Sequence, residues 1–539
     1  MQKMFKIFLT AAVIVFWVGC GGVEEEDGSS GGGGESGVLT SDCSGTYCGS
    51  NENNYAGSGI GVWRYKNSGS RNAALNVSLN NVANKDITIV FTNEGVSSVT
   101  LPYISVDTSL HNEMSMQNWG GGDYVDTFNY IPDAIREFNA REYLLKEVEP
   151  SQSIINYNQI FAKTWSLGEQ NEWYVHKSST VYEKRIATLK KQITVSGRTV
   201  NIWVENSEYG SGKMSDTIIN SISGYLNTVI SSVVSVAGEP WGQHSYTNLI
   251  SAVQPLDIVL VNLKKDNQPF GTLGYFYALN NFLNSGTITS SNEALAVFVD
   301  TETIYLHSNG TLYAVSTIAH ELTHAVHFYQ RSVRIDDPFD TFLNEMSAIM
   351  MEDIVAKKID STFNDVKFRY IDWHEESDYR YDFADWSLSG DTNYDVAGSF
   401  GAFLMRQHGI NFYKALFATR SSSGSTDHEK SLNILDKAIK SYNGEGLGRA
   451  LQRWGASIAM FPSSSSPSGF GYPARNSDNG FTFEAFDGNS YKPYRKLPTY
   501  SPASLYAHAH FPFLRKTAGY TYSEQFIVPP KVSVSIVVK

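Results

Sequence analysis

Cysteine is nearly missing from this chain of 539 residues: three occur, Cys20, Cys43 and Cys48, and none lies in the body of the sequence. A metal site further along the chain therefore has no thiolate to use and must be built from nitrogen and oxygen. Charge is scarce as well, at 18% of residues, and its balance is acidic, giving a formal net charge of −13. That sign argues against a nucleic-acid partner and against electrostatic attachment to a membrane surface. Beyond residue 19 no stretch reaches the ~18 consecutive apolar side chains of a membrane span. Long runs of like charge, internal repeats and a phosphate-cradling glycine loop are absent too. What is present is 42% apolar residues with abundant Tyr, Phe and Gly. This is the composition of a globular enzyme long enough for two or three domains.

The first residues have a different character. Lys3 and Lys6 precede an apolar run over 7–18, and Gly19-Cys20 closes it. A charged start, a short apolar run and a cleavage site predict a signal peptide over 1–19, too short to span a bilayer. Cysteine directly after glycine resembles the lipobox of bacterial lipoproteins, although Trp17 stands where that motif usually has leucine. The resemblance implies that Cys20 is acylated and becomes the mature N-terminus. Residues 21–37 are mostly Gly, Ser and Glu, so 20–50 reads as a flexible tether. The expected location is the bacterial cell envelope, at the outer membrane or cell surface, with a lipid anchor in the membrane. Cys43 and Cys48 remain as a pair for a disulfide, which closes too small a loop to add much stability.

Texture divides the rest. From 51 to 180, short alternating or β-branched runs at 61–65, 86–92 and 98–101 predict an N-terminal β-sandwich-like domain, with 116–130 as a loop. From 181 to 462 the pattern is α+β: strands at 200–204, 258–261 and 296–300, and helices at 215–236, 396–408, 429–442 and 446–458. A Ser/Pro/Gly-rich linker and β-type runs ending at 532–538 make a small C-terminal β-rich region over 463–539.

The chemistry sits at 320–324, His-Glu-Leu-Thr-His. Positions i and i+4 share one helix face, so His320 and His324 can turn imidazole nitrogens toward one ion. The stretch 311–330 has no proline or glycine, and its apolar residues recur with helical period. Zinc prefers four ligands, so two histidines leave room for a third protein ligand and a water. Glu321, beside the first histidine, can take a proton from that water. Pursuing the third ligand, a metzincin glycine and histidine would fall at 327 and 330, which hold His327 and Gln330; that class is excluded. After a polar break at 334–338 a second helical pattern carries Glu345 inside an apolar run, where a carboxylate needs a partner. Two helices joined by a short loop would bring Glu345 to the histidine face, completing a His₂Glu site with an open position.

His-Glu-Leu-Thr-His with Leu343-Asn344-Glu345 downstream resembles the gluzincin metallopeptidases, and Phe328-Tyr329-Gln330 and Asn344-Glu345-Met346-Ser347 resemble the hyicolysin-type (M30) peptidases in particular. The resemblance covers residues 215–460. It implies a zinc endopeptidase on a thermolysin-like core, with a sheet above the active-site helix and a helical lobe below. One Zn²⁺ per chain would be held by His320, His324 and Glu345, with Glu321 as general base and a protein or peptide as substrate. Two more residues are candidates. Glu352, two turns beyond Glu345, can accept the free N–H of a ligating histidine. Tyr394 opens an apolar helix; in gluzincins like the zinc aminopeptidases a tyrosine so placed donates to the oxyanion, here with one extra residue before Gly398. Two alternatives stand beside the endopeptidase: a ligand-binding surface lipoprotein with a vestigial metal site, and a zinc aminopeptidase, for which 271–281 offers no glutamate to hold a free amine.

Overall fold

Val-Ser-Val-Ser-Ile-Val-Val at 532–538 buries all seven of its residues. A strand covered on both faces is a central one, with a hydrogen-bonded neighbour on each side. The computed structural model describes residues 37–110, 133–141, 163–177, 181–387, 392–461, 465–489, 492 and 495–539. There, Val532–Val538 lies between Gly61–Lys66 and Asp86–Asn93, antiparallel to both. Thr40–Ser41 and His510–Lys516 complete a five-stranded sheet. A four-stranded sheet runs Thr521–Val528, Ala73–Asn80, Asn54–Tyr55, Ser50–Asn51. Leu75, Val77, Leu79 and Phe526 of the second sheet meet Ile89, Phe91, Phe513 and Ile536 of the first in one apolar core. Ala73–Asn80 shows the alternation of a half-covered strand, with Asn76 and Ser78 exposed.

This corrects the expectation of a β-rich domain at 51–180 apart from a β-rich region at 463–539. Gly61–Lys66 and Asp86–Asn93 are not neighbours, and the last strand of the chain pairs with both. The two ends make one sandwich. Its strands also reach into the expected tether, at Thr40–Ser41 and Ser50–Asn51, and Cys43 is bonded to Cys48 there. The signal peptide, Cys20 and the loop expected at 116–130 lie outside the described residues.

The boundary expected at 180 falls between two paired strands, Gln170–His176 and Tyr182–Val195, which are antiparallel members of a second sheet. It continues through Arg198–Glu205, Leu256–Val261 and Leu295–Asp300 to Gly274–Phe276. The middle three are parallel, and two of them bury every residue, as parallel strands covered on both faces do. The helix Asp216–Ala237 makes the crossover after the first of them. Ser215 accepts from the Ile218 N–H to cap its first turn. Gly274–Phe276, a strand the sequence does not announce, is the outermost strand of this sheet among the described residues and runs antiparallel to Leu295–Asp300.

Beside this strand runs the motif helix Gly310–His327, and against the motif helix packs the glutamate helix Thr341–Ile359. The tyrosine helix Thr392–His408 packs on the glutamate helix in turn, tied to it by the buried Arg406 Nη1–Asp353 Oδ2 pair at 2.5 Å. The helices Asp427–Asn443 and Leu447–Ser457 follow close to their expected spans. Val62 and Val537, on the sandwich face turned away from its core, meet Ala456, Met460 and Phe470, so the sandwich docks on the helices. The molecule is α+β, as expected. No helix among the described residues is long and apolar enough to cross a membrane.

Candidate metal centre

The motif helix forms where the periodicity placed it, and every residue from Tyr313 to His327 is buried. Its end changes to a π-helical turn at Phe328–Val333, a form often found beside functional sites. Arg331 there donates to the Phe417 and Thr419 carbonyls at 3.1 and 2.6 Å and pairs with Asp337 at 2.8 Å. The polar break is thus fastened to the body of the protein, and the chain turns back into the glutamate helix.

The two helices bring three donors together. His320 Nε2 lies 3.3 Å from Glu345 Oε2, and His324 Nε2 lies 3.6 Å from the same oxygen. The ligand atoms of His320, His324 and Glu345 all lie within 4.8 Å of one another, and all three residues are buried. Among the described residues this is the one such cluster able to hold a metal ion.

Each ring nitrogen that faces away from the cluster has a partner. Glu352 contacts His320 Nδ1, the geometry expected of it. Asn344 Oδ1 lies 2.7 Å from His324 Nδ1 and contacts His327 Nδ1 as well. His327 Nε2 meets the Ser347 hydroxyl at 3.0 Å, and its ring stacks on Phe417 at 4.8 Å; this histidine is packed away from the cluster. Glu321 Oε2 accepts the Phe276 N–H of the strand Gly274–Phe276 at 2.7 Å. That approach is close because of Gly274, where a Cβ would come within 2.6 Å of Thr317 Cγ2.

The donor set fits zinc on two observations. With Nδ1 donating to Asn344, His324 presents a bare Nε2 lone pair, and this buried atom has no hydrogen-bond partner. A buried nitrogen left so calls for an ion or water. Charge points the same way. Burial works against an imidazolium at His320, yet the hydrogen bonds to Glu345 and Glu352 and the nearby Glu321 outweigh it and hold His320 well above the usual histidine value. Burial likewise works to raise Glu345, but His324 and His320 hold it well below the usual carboxylate range. The pocket is thus a place for positive charge. Glu321 is raised, by burial first and by Glu345 among its neighbours, with both histidines opposing. A raised carboxylate is better suited to accept a proton near neutral pH.

Tyr394 is buried on the tyrosine helix, and burial followed by the charge of Glu345 raises its phenol well above the usual value. Its Oη accepts from Arg136 Nη1 at 3.3 Å, and its ring meets Trp386 edge-on at 4.9 Å. Arg136 belongs to a short helix, Asp133–Asn139, that the sequence reading had placed in the separate N-terminal domain. Asn344 was also missed as a functional residue. Its signal was available, since a polar side chain inside an apolar helix needs a buried partner just as Glu345 does.

A family model described as peptidase M30 matches residues 182–539. A second, a domain of unknown function (DUF8571), matches residues 41–106. The sandwich therefore interleaves strands from both matched ranges. No curated protein matches the chain. Among solved structures it is similar to a two-domain M1 zinc metallopeptidase, a glutamate-to-alanine mutant bound to L-arginine, at 8% identity over 50% of this chain and 49% of that one, with a TM-score of 0.22. The match spans about half the length of that protein, and at such a score it does not relate the two folds.

Proposed function

The chain belongs to the peptidase M30 family, which makes it a metallopeptidase, and we propose that it is a zinc endopeptidase tethered to the bacterial cell surface through a lipid on Cys20. The convergence of His320 Nε2, His324 Nε2 and Glu345 Oε2, with one nitrogen unpartnered, carries this reading. These three residues would hold the ion. When bound, zinc supplies Lewis acidity, activating a water and polarising the scissile carbonyl. Glu321 takes the proton of the attacking water and passes it to the leaving amine. Glu352 and Asn344 each hold the Nδ1 of one ligating histidine and so fix which nitrogen faces the ion. Tyr394 donates to the oxygen that gains charge in the tetrahedral step, and Arg136 holds the phenol in place. The layout, with a sheet above the motif helix and a helical region below, supports a thermolysin-like core. A cleft of about 650 Å³ lined by Asp133, Arg136, Asp340, Asp382 and Trp386 lies near this site through Arg136, which reaches Tyr394.

The test begins with the purified chain, never exposed to chelator. Elemental analysis should find about one zinc per molecule, as a His₂Glu site requires, and His324→Ala should lose it. Glu321→Gln should keep the metal and the fold while casein hydrolysis falls by several orders of magnitude, because an amide cannot accept the water's proton. Wild-type protein that holds zinc and cleaves no protein or peptide would favour the ligand-binding alternative. Trimming of casein from its N-termini alone would favour the aminopeptidase.

A further inference from the structure

The chain carries a formal net charge of −13, yet positive charge collects at one place. A cavity of about 290 Å³ is lined by Lys492, Arg495, Arg515, Lys516 and Lys539, with Asp86 as the one acidic residue in its wall. Lys516 ends the strand His510–Lys516 and Lys539 follows Val532–Val538, so the sandwich supplies one side. Lys492 and Arg495 come from the segment between Phe481–Phe483 and the sandwich. Arg515 is matched, pairing with Glu524 at 2.8 Å. The other four cations form no ion pair among the described residues. Buried arginines elsewhere are met by carboxylates: Arg406 by Asp353, Arg449 by Asp42 and Arg185 by Glu205. Here the partners are carbonyls. Arg495 Nη1 donates to the Ile458 carbonyl at 2.8 Å, and Lys539 Nζ donates to that of Phe461. A carbonyl fixes a cation in position and leaves its charge in place. Arg495 and Lys539 are both half-buried. Burial first, then Lys492 and Arg495, push the Lys539 ammonium down to about 8, against the pull of Asp86 and Asp487.

We propose that this cavity is a binding site for a phosphate monoester, either a dissolved compound or a lipid headgroup. Cations held together without carboxylates repel one another and lose hydration, and a bound anion relieves both costs. The surplus of positive side-chain charge selects the kind of anion. A phosphate monoester brings close to two negative charges and three acceptor oxygens at neutral pH, where a carboxylate brings one charge and two oxygens. The guanidinium of Arg495 offers a flat fork of N–H donors that matches phosphate oxygens in pairs, and the lysines add compact charges around it. The volume lies at the lower end of ligand sites, about 300 Å³, so the fit is to a compact group. No lining residue belongs to the metal centre, and the proposal stands independently of the peptidase reading.

Titration calorimetry on the full chain, at pH 7 and constant ionic strength, tests it with glycerol 3-phosphate as the probe. Wild type should bind the probe, and Arg495→Gln should weaken binding about tenfold or more, as loss of a charge-assisted donor does. Lys516→Gln, at an exposed strand end where the fold has little at stake, should weaken it several-fold and keeps the test open if Arg495→Gln fails to fold. Acetate should bind about tenfold more weakly than the phosphate. No binding of glycerol 3-phosphate by wild type would overturn the proposal. So would binding that folded Arg495→Gln and Lys516→Gln leave unchanged, which would put the phosphate elsewhere on the chain. Acetate bound as tightly as the phosphate would overturn the choice of ligand. Flotation with vesicles of phosphatidic acid, against phosphatidylcholine alone, separates the two sources. Flotation that Arg495→Gln abolishes would support the site with a lipid headgroup as its ligand. Flotation indifferent to Arg495, with glycerol 3-phosphate bound in solution, would support it with a dissolved compound.

Discussion

Around Ile536 the sandwich is filled by Trp63, Leu75, Ile89, Phe91 and Phe513. Around Glu345, at the same depth, stand His320, His324 and Glu321, with Glu352 at the rim. The first set gains stability from every side chain it removes from water. The second loses hydration from several ionisable groups, which is costly unless charges and hydrogen bonds compensate. The difference separates two tasks. The apolar core, closed by the last strand of the chain, keeps the fold; the polar cluster is retained for the ion it can hold. A substitution should therefore move melting in one region and turnover in the other.

The largest expected effect is in the sandwich. Ile536→Ala removes a fully buried side chain of the C-terminal strand, held between two strands from the N-terminal part of the chain, and should cost about 2–5 kcal/mol of stability. Turnover of the folded fraction should stay near wild type. Differential scanning calorimetry and initial rates on one preparation check both halves, and a loss of kcat at temperatures well below melting would break the separation.

Tyr394→Phe is the converse case. Removing the proposed oxyanion donor should lower kcat by roughly 10²–10³, about 2.7–4 kcal/mol, with KM little changed. The melting temperature should shift little, because the ring stays packed on Trp386. A reduced melting temperature with nearly normal turnover would make Tyr394 a core residue and take it out of the mechanism.

The same comparison explains what the sequence made legible. The motif helix and the glutamate helix are local: helical period, a polar break and two carboxylates seven residues apart sufficed to bring Glu345 and Glu352 to His320. Pairings between distant segments leave no such trace. The run at 532–538 reads as a strand, and its unbroken burial identifies a central one, yet nothing in it names Gly61–Lys66 or Asp86–Asn93 as neighbours. Gly274–Phe276 was missed because three residues are too few for a period. Asn139 is not legible because its partners, the Phe276 carbonyl and the Ala278 N–H, lie more than a hundred residues away.

The seam between the two regions gives the smallest and most discriminating prediction. His510 starts a sandwich strand and faces the helices: its Nδ1 lies 3.0 Å from Thr92 Oγ1, and its ring meets Trp454 edge-on at 4.7 Å. Burial first, and His508 beside it, push its pKa down to about 3. An unfolded histidine titrates near ~6.5, so between these values the unfolded chain binds a proton that the native one does not. Stability is thus independent of this group above about pH 6.5 and falls as the pH drops below it, by up to about 1.4 kcal/mol per pH unit. His510→Asn cannot titrate there and keeps an acceptor for Thr92, so its stability should fall less steeply from pH 6 to pH 4 than that of wild type. Denaturant melts at each pH measure the two slopes. Equal slopes would mean that the seam admits the proton without opening. A wild-type transition that splits in two at low pH would show the seam parting first, with the sandwich and the catalytic region then unfolding as separate units.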